Sequence, residues 1–244
     1  MKLVDLGYRN LYFKNEKDKF AALYGQGVPE VSKIGFQTNS QTRNQILTKL
    51  EETIRTLDDL VCQGKVRYVG CSNFTAWQVC KGLWVADRLN AAPFMCVQNP
   101  YSLMDRRLET EMFGVVRGQG LGIMAYSPLG IGLLSGAYRP GEAPSPDTLW
   151  GRRGRERLES TLSGQAASVL ETVRQVASDV GKSVAQVALA WVLSHPEISV
   201  AITGGDTIEH IEDNIGAVGW ELPPEAKDRL DTVSAPMQQG IRDG

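Results

Sequence analysis

Four short apolar runs in this 244-residue chain each end on polar residues that could hold a ligand. Ser72-Asn73 closes the first and Gln98-Asn99 the second. Tyr126-Ser127-Pro128-Leu129 closes the third and Thr203-Gly204-Gly205 the fourth. In parallel α/β folds, ligands bind outside the carboxyl ends of the strands, so four equivalent positions point to one shared site. The chemistry on offer suits a flat heterocycle that carries phosphates. Asn73 and Gln98 have both amide donors and acceptors and can bind a carboxamide. Tyr126 offers an aromatic face for stacking. Ser127, Leu129 and the glycine-containing backbone of residues 130–132, Gly132 included, can approach a phosphate closely. Gly204 and Gly205 precede a helix starting near Thr207, whose N-terminus suits an anion.

Those residues need a scaffold, and the pattern from residue 65 onward supplies one. Residues 65–71 (KVRYVGC), 94–98 (FMCVQ), 123–127 (IMAYS) and 199–203 (SVAIT) read as strands. Between them, residues 75–90 and 105–117 read as helices, the first with Ala76, Val79, Leu83 and Ala86 on one face. Residues 128–162, rich in Gly, Pro and Arg, read as a long loop. Residues 163–180, 184–194, 207–218 and 223–233 read as further helices, the last opened by Pro-Pro, where missing amide donors cost least. Strands alternating with helices predict parallel βαβ units and an α/β fold. Upstream, residues 43–63 form a helical pattern with Ile46, Leu50, Ile54, Leu57 and Leu60, and no strand stands out before it. A βα unit takes roughly 30 residues. Residues 65–244 therefore hold four units, and residues 1–64 are short for four more.

Composition narrows the function classes. The chain is 42% hydrophobic and 22% charged, so it can bury a core. A net charge of −2 argues against a nucleic-acid or membrane surface as partner. Cys62, Cys71, Cys80 and Cys96 lack zinc-knuckle spacing, and His195 and His210 are the sole histidines, so no metal site is expected. Bland packing roles are expected for both histidines and for Trp77, Trp84, Trp191 and Trp220. Trp150, in the long loop, is a candidate for lining a substrate pocket. Residues 152–157 (RRGRER) read as a solvated basic loop. With no leader-like run and no stretch of roughly 18 apolar residues, the expected setting is cytoplasmic.

Four segments carry a resemblance. Residues 64–74 (GKVRYVGCSNF), 97–103 (VQNPYSL), 126–136 (YSPLGIGLLSG) and 203–214 (TGGDTIEHIEDN) resemble, in order, the fifth to eighth strands of the aldo-keto reductases with their loops. The resemblance covers about residues 51–234. It implies one domain over residues 1–244, a TIM (β/α)8-type barrel with its N-terminal half, residues 1–64, shortened or incomplete. It implies an NADPH- or NADH-dependent oxidoreductase that reduces aldehyde or ketone carbonyls without metal. It gives Ser72, Asn73 and Gln98 the nicotinamide carboxamide, Tyr126 the stacking role, and Ser127 and Leu129 the pyrophosphate. Gly204, Asp213 and Asn214 fall at the adenosine end. Asp206 stands where many members carry a basic or small residue near a 2′-phosphate. A carboxylate there repels by about a kcal/mol or more, which disfavours a strong NADPH preference.

The catalytic half of the resemblance is thinner. Residues 24–30 (YGQGVPE) resemble the segment with the proton-donating Tyr, and residues 32–36 (SKIGF) the strand with its Lys, which makes Tyr24 and Lys33 the catalytic candidates. A phenol near pKa 10 needs such a cation to act as an acid near neutrality. The family's Asp should lie five residues before the Tyr, but Lys19 stands there, with Asp18 one residue further away. The family's His is absent. The leading expectation is a carbonyl reductase acting on a small molecule. The alternative is a catalytically impaired or repurposed nucleotide-binding relative that acts as a binding or regulatory protein. Open strand edges in a half-barrel would make a homo-oligomer one way to cover them.

Overall fold

The structure is a computed structural model that describes residues 50–138, 142–205, 207–235 and 237. Four strands, β1 (Val69–Ser72), β2 (Phe94–Pro100), β3 (Gly122–Tyr126) and β4 (Ile198–Ile202), form one sheet in the order β1-β2-β3-β4. Strand order follows sequence order, as in successive βα units, and β1 runs parallel to β2. Among the described residues, the chain divides into two compact units.

One unit holds β1, most of β2 and the helices α1 (Leu50–Cys62) and α2 (Ala76–Leu89). The α1 helix ends at Gly64, whose φ of +68° lets Lys65 and Val66 donate back to the Leu60 carbonyl at 3.0 and 3.3 Å. That wrap keeps the first residues of the expected strand out of the sheet, so β1 starts at Val69 rather than Lys65. At the start of α2, the Thr75 amide donates to Gln78 Oε1 at 2.8 Å. Asn90 ends it in the left-handed region, at φ +50°. The buried face is Ala76, Val79, Val85 and Ala86, with Gly82 against Phe94 of β2. A Cβ on Gly82 would lie 2.6 Å from the Phe94 ring, so glycine sets how closely helix and strand approach. Leu83, expected on this face, is only half-buried. Asp58 accepts from the Ala92 amide at 2.8 Å, and Arg88 pairs with Glu51, tying α1 to α2.

The other unit holds residues 100–114 and those from 124 onward, while residues 115–123, most of the next helix and the start of β3, belong to the first. The expected helix over residues 105–117 is instead a 3-10 turn (Arg107–Glu109) followed by α3 (Met112–Gln119). Ser102 and Asp105 exchange two backbone hydrogen bonds at 3.0 Å, and the Arg106 amide donates to the Met237 carbonyl at 3.2 Å. Helical bonding cannot begin there. The long loop also differs from expectation. It folds a 3-10 turn (Leu133–Ser135) and two short helices, α4 (Leu149–Arg153) and α5 (Arg155–Thr161). Thr148 caps α4 by accepting from the Gly151 amide at 3.0 Å, and Gly154 at φ +91° separates the two helices. Trp150, Leu158 and Leu162 anchor them in the core.

Next come α6 (Gly164–Val180) and α7 (Val184–Leu193), then α8 (Ile208–Ile215) and α9 (Pro224–Ser234). Seven of the ten residues of α7 are buried, which is why its apolar run shows little helical periodicity. Trp191 of α7 stacks on Tyr101 with centroids 5.4 Å apart. His195 packs edge-on to both rings, its Nδ1 3.0 Å from the Trp191 carbonyl. Tyr101 Oη donates to Glu109 at 2.7 Å, and the same carboxylate takes Arg106 Nε and Nη2 at 2.6 and 2.8 Å. Burial and the adjoining carboxylate push the Tyr101 phenol far above its ordinary range, so it stays a donor. Arg106 Nη1 reaches the Asp231 carbonyl and Ser234 Oγ of α9 at 2.7 and 2.9 Å. No single helix among the described residues is long and apolar enough to cross a membrane.

Candidate functional site

At the ends of β1 and β2, the strand register sets Ser72 opposite Gln98. The Gln98 carbonyl then accepts from both Ser72 Oγ, at 2.9 Å, and the Asn73 amide, at 3.1 Å. Asn73 turns the chain away with φ +58°, a conformation that Asn tolerates because its side chain bonds locally, here Nδ2 to Ser72 Oγ at 3.2 Å. The backbone of the three residues is thereby locked. All three side chains are half-buried, within reach of a ligand. Hydroxyl, amide and carboxamide groups in one cluster can both donate to and accept from a carboxamide.

At the end of β3, the Tyr126 carbonyl accepts from the Tyr101 amide at 3.2 Å, which fixes the strand end carrying the half-buried Tyr126 ring. The loop beyond it is unusual. Ser127, Gly130, Ile131 and Gly132 have φ of +51°, +58°, +57° and +85°. For glycine this costs little. For Ser and especially β-branched Ile it is uncommon, costing roughly 1–2 kcal/mol per residue, and is held by surrounding structure. The turn is closed by Gly130 N to Ser127 O at 2.9 Å, Leu133 N to Gly130 O at 3.2 Å and Leu134 N to Leu129 O at 3.0 Å. The amides of Leu129, Ile131 and Gly132 find no partner among the described residues. Unspent backbone donors in a run of left-handed residues are the makings of an anion-binding nest.

Beyond β4, Gly205 is required by close approach. A Cβ there would lie 2.8 Å from Ile211 of α8. Asn214 Nδ2 donates to the Gly204 carbonyl at 3.3 Å, joining α8 to the strand end. Asp213 is committed internally. Its Oδ2 accepts from Ser183 Oγ at 2.9 Å and its Oδ1 from Gln186 Nε2 at 3.0 Å, so it cross-links α8 to the start of α7. The helix N-terminus expected to take an anion is served from within. Thr207 Oγ1 accepts from the His210 amide at 3.3 Å. The Glu209 carboxyl is held below its ordinary range by its own backbone amide and by Thr207.

Of the expected site residues, Ser72, Asn73 and Gln98 come together in one unit. Tyr126, Ser127, Leu129 and Gly132 line one loop of the other unit, which also holds Gly204, Asp213 and Asn214 around α8. Tyr24 and Lys33, the catalytic candidates, lie outside the described residues, as does Asp206. Trp150 is corrected. It is buried, at 3% exposure, and its Nε1 donates to the Ile131 carbonyl at 3.0 Å, so it supports the phosphate-suited loop instead of lining a pocket. Sequence reasoning missed this contact. The one available signal was a tryptophan inside a segment otherwise rich in Gly, Pro and Arg.

Comparison with known proteins now identifies the frame. Residues 29–235 match the model of the Aldo/keto reductase family. Protein tas of Escherichia coli (strain K12) is 32% identical over 203 residues, covering 82% of this chain and 56% of that protein. A probable voltage-gated potassium channel subunit beta of Oryza sativa subsp. japonica is 30% identical over 194 residues, 78% of this chain and 59% of that protein. The uncharacterized oxidoreductase YrpG of Bacillus subtilis (strain 168) is 33% identical over 186 residues, 76% of this chain and 54% of that protein. The chain thus spans about half the length of the curated relatives it matches. On this match, the chain belongs to the aldo/keto reductase family, whose (β/α)8 barrel its four-stranded parallel sheet reproduces in part.

Proposed function

We propose that the chain is an NAD(P)H-dependent oxidoreductase that reduces aldehyde or ketone carbonyls of small molecules. The observation that carries this reading is the left-handed loop after β3, whose amides of Leu129, Ile131 and Gly132 find no partner among the described residues. Such donors fit a pyrophosphate. The Ser72, Asn73 and Gln98 cluster fits the carboxamide of a nicotinamide, and Tyr126 its ring. Gly204, Asp213 and Asn214 would serve the adenosine end, with Asp213 contributing whatever acceptor capacity Ser183 and Gln186 leave. A reduced nicotinamide held by these residues would supply hydride to the carbonyl carbon. In this reading Tyr24 hands its phenolic proton to the carbonyl oxygen, and Lys33 lowers the phenol's pKa toward neutrality. Kinship with an oxidoreductase such as YrpG supports the reaction class.

A second reading rests on the catalytic departures. Lys19 stands where the family's Asp belongs, and the family's His has no counterpart in the sequence. The chain would then bind nucleotide and act as a regulatory module, and a relative described as a channel subunit accords with that. The test is a fluorescence titration with NADPH and NADH, followed by turnover of an aromatic aldehyde. The reductase reading expects binding, turnover, and a Tyr24→Phe variant that binds equally well but no longer turns over. Binding without turnover favours the second reading. Absence of binding to either cofactor defeats both. Asp206 predicts that NADPH holds no large advantage over NADH.

A further inference from the structure

We propose that Trp150 is a positioning residue for the phosphate-suited loop: its indole sets the direction of the Gly132 amide. This rests on the nucleotide-binding reading above. A peptide unit is rigid and planar, with C=O and N–H pointing to opposite sides. The Ile131 carbonyl and the Gly132 N–H belong to one such unit. Trp150 Nε1 holds the carbonyl at 3.0 Å. The Gly132 N–H is therefore aimed away from Trp150, and it finds no partner among the described residues.

Three observations show why the loop needs an external hold. Ile131 sits at φ +57°, which a β-branched residue seldom adopts unless constrained, and its side chain is exposed, so packing of that side chain does not supply the constraint. The indole is buried, so its N–H would be orphaned if the carbonyl turned away, which couples the two groups. The support is itself braced. Thr148 caps α4, and a Cβ on Gly151 would lie 1.9 Å from the Ser145 carbonyl, so the backbone on either side of Trp150 is pressed against the preceding segment. Arg153 lies 5.0 Å over the Trp150 ring. The segment between β3 and α6 thus folds back so that its helical part fixes the peptide geometry of its own first turn.

The test compares wild type with Trp150→Phe, which keeps an aromatic ring in the slot and removes the N–H. The probe is ADP-ribose, which has the pyrophosphate but no nicotinamide, with NADPH and NADH in parallel. The expected result is a 5- to 20-fold weaker Kd for all three, with Tm almost unchanged. A smaller ligand-induced shift of the Gly132 amide resonance in the variant is expected too, and a merely structural role would not produce it. Replacement of Trp150 by 3-benzothienylalanine, which swaps the N–H for sulfur within nearly the same shape, serves if the Phe variant folds poorly. Affinities within twofold of wild type for either replacement overturn the assignment. If wild type binds none of the three probes, the nucleotide-binding reading itself has failed, and the role of Trp150 falls with it.

Discussion

Removing the Glu109 carboxylate should cost this protein a large share of its stability. Among the described residues, Glu109 accepts three hydrogen bonds at 2.6–2.8 Å, one from Tyr101 and two from Arg106. Both donors are deeply buried, Tyr101 at 0% and Arg106 at 6% exposure. A hydrogen bond to a charged group contributes about 1.5–3 kcal/mol, and bonds that share one carboxylate do not add fully. Breaking a buried ion pair by removing one partner costs about 3–5 kcal/mol, because the other charge is left without compensation. Arg106 would keep its bonds to Asp231 and Ser234, which softens the loss. We therefore expect about 4 kcal/mol for Glu109→Ala, and about half of that for Glu109→Gln, which retains one acceptor oxygen. Against a typical total of about 5–15 kcal/mol, the alanine variant would be marginal. With a urea slope of about 2 kcal/mol/M, the midpoint should fall by about 2 M. Urea titrations followed by circular dichroism and by tryptophan fluorescence would measure this, since Trp191 stacks on Tyr101 and reports the same locus. The double variant Arg106→Met with Glu109→Leu should recover much of the loss, because no buried charge is then orphaned. A loss below 1 kcal/mol in the alanine variant, or a double variant as unstable as the sum of its parts, would refute the account.

Two further expectations concern titration and reactivity. Burial, aided by the nearby Lys227 ammonium, lowers the His195 pKa from its ordinary 6.5, outweighing the opposing pull of the Trp191 carbonyl, Glu109 and Asp231. The unfolded chain then binds a proton more readily than the folded one. This contribution to stability is complete above pH 6.5 and is lost as pH falls through 6.5 toward the lower folded value. The urea midpoint should decline between pH 7 and 5, and His195→Phe should flatten that slope; an unaltered slope would count against it. Burial, and then Cys96 nearby, push the Cys71 thiol up to about 12. Exposed Cys62 and Cys80 should react with a thiol reagent at pH 8 while Cys71 reacts only on unfolding, as mass spectrometry of labelled peptides would show.

The βα alternation from residue 65 onward was legible because each apolar run was short, β-branched and closed by a polar pair. Its strand and helix boundaries shifted by a few residues where a cap reached across them, as Gly64 does through the Leu60 carbonyl. The segment over residues 128–162 was illegible for another reason. Its two helices are too short for periodicity to register, and their burial depends on single large residues, Trp150 and Leu158. The start of α3 differs from the sequence pattern because Arg106 sends its amide to Met237 and its Nη1 to Asp231 and Ser234 of α9, long-range partners that local pattern cannot reveal. At the site, residue types were readable at the strand ends, but their present commitments were not. Asp213 looks free in sequence, yet both its oxygens are engaged.

That engagement bears on the kinetics of association. Because Ser183 and Gln186 already hold Asp213, the first turn of α7 and the last of α8 form a single rigid corner before any ligand arrives. The entropy of ordering that corner is spent during folding, not during capture. On the nucleotide-binding reading proposed above, capture at this corner would be governed by diffusion and access instead of by a slow rearrangement of the corner.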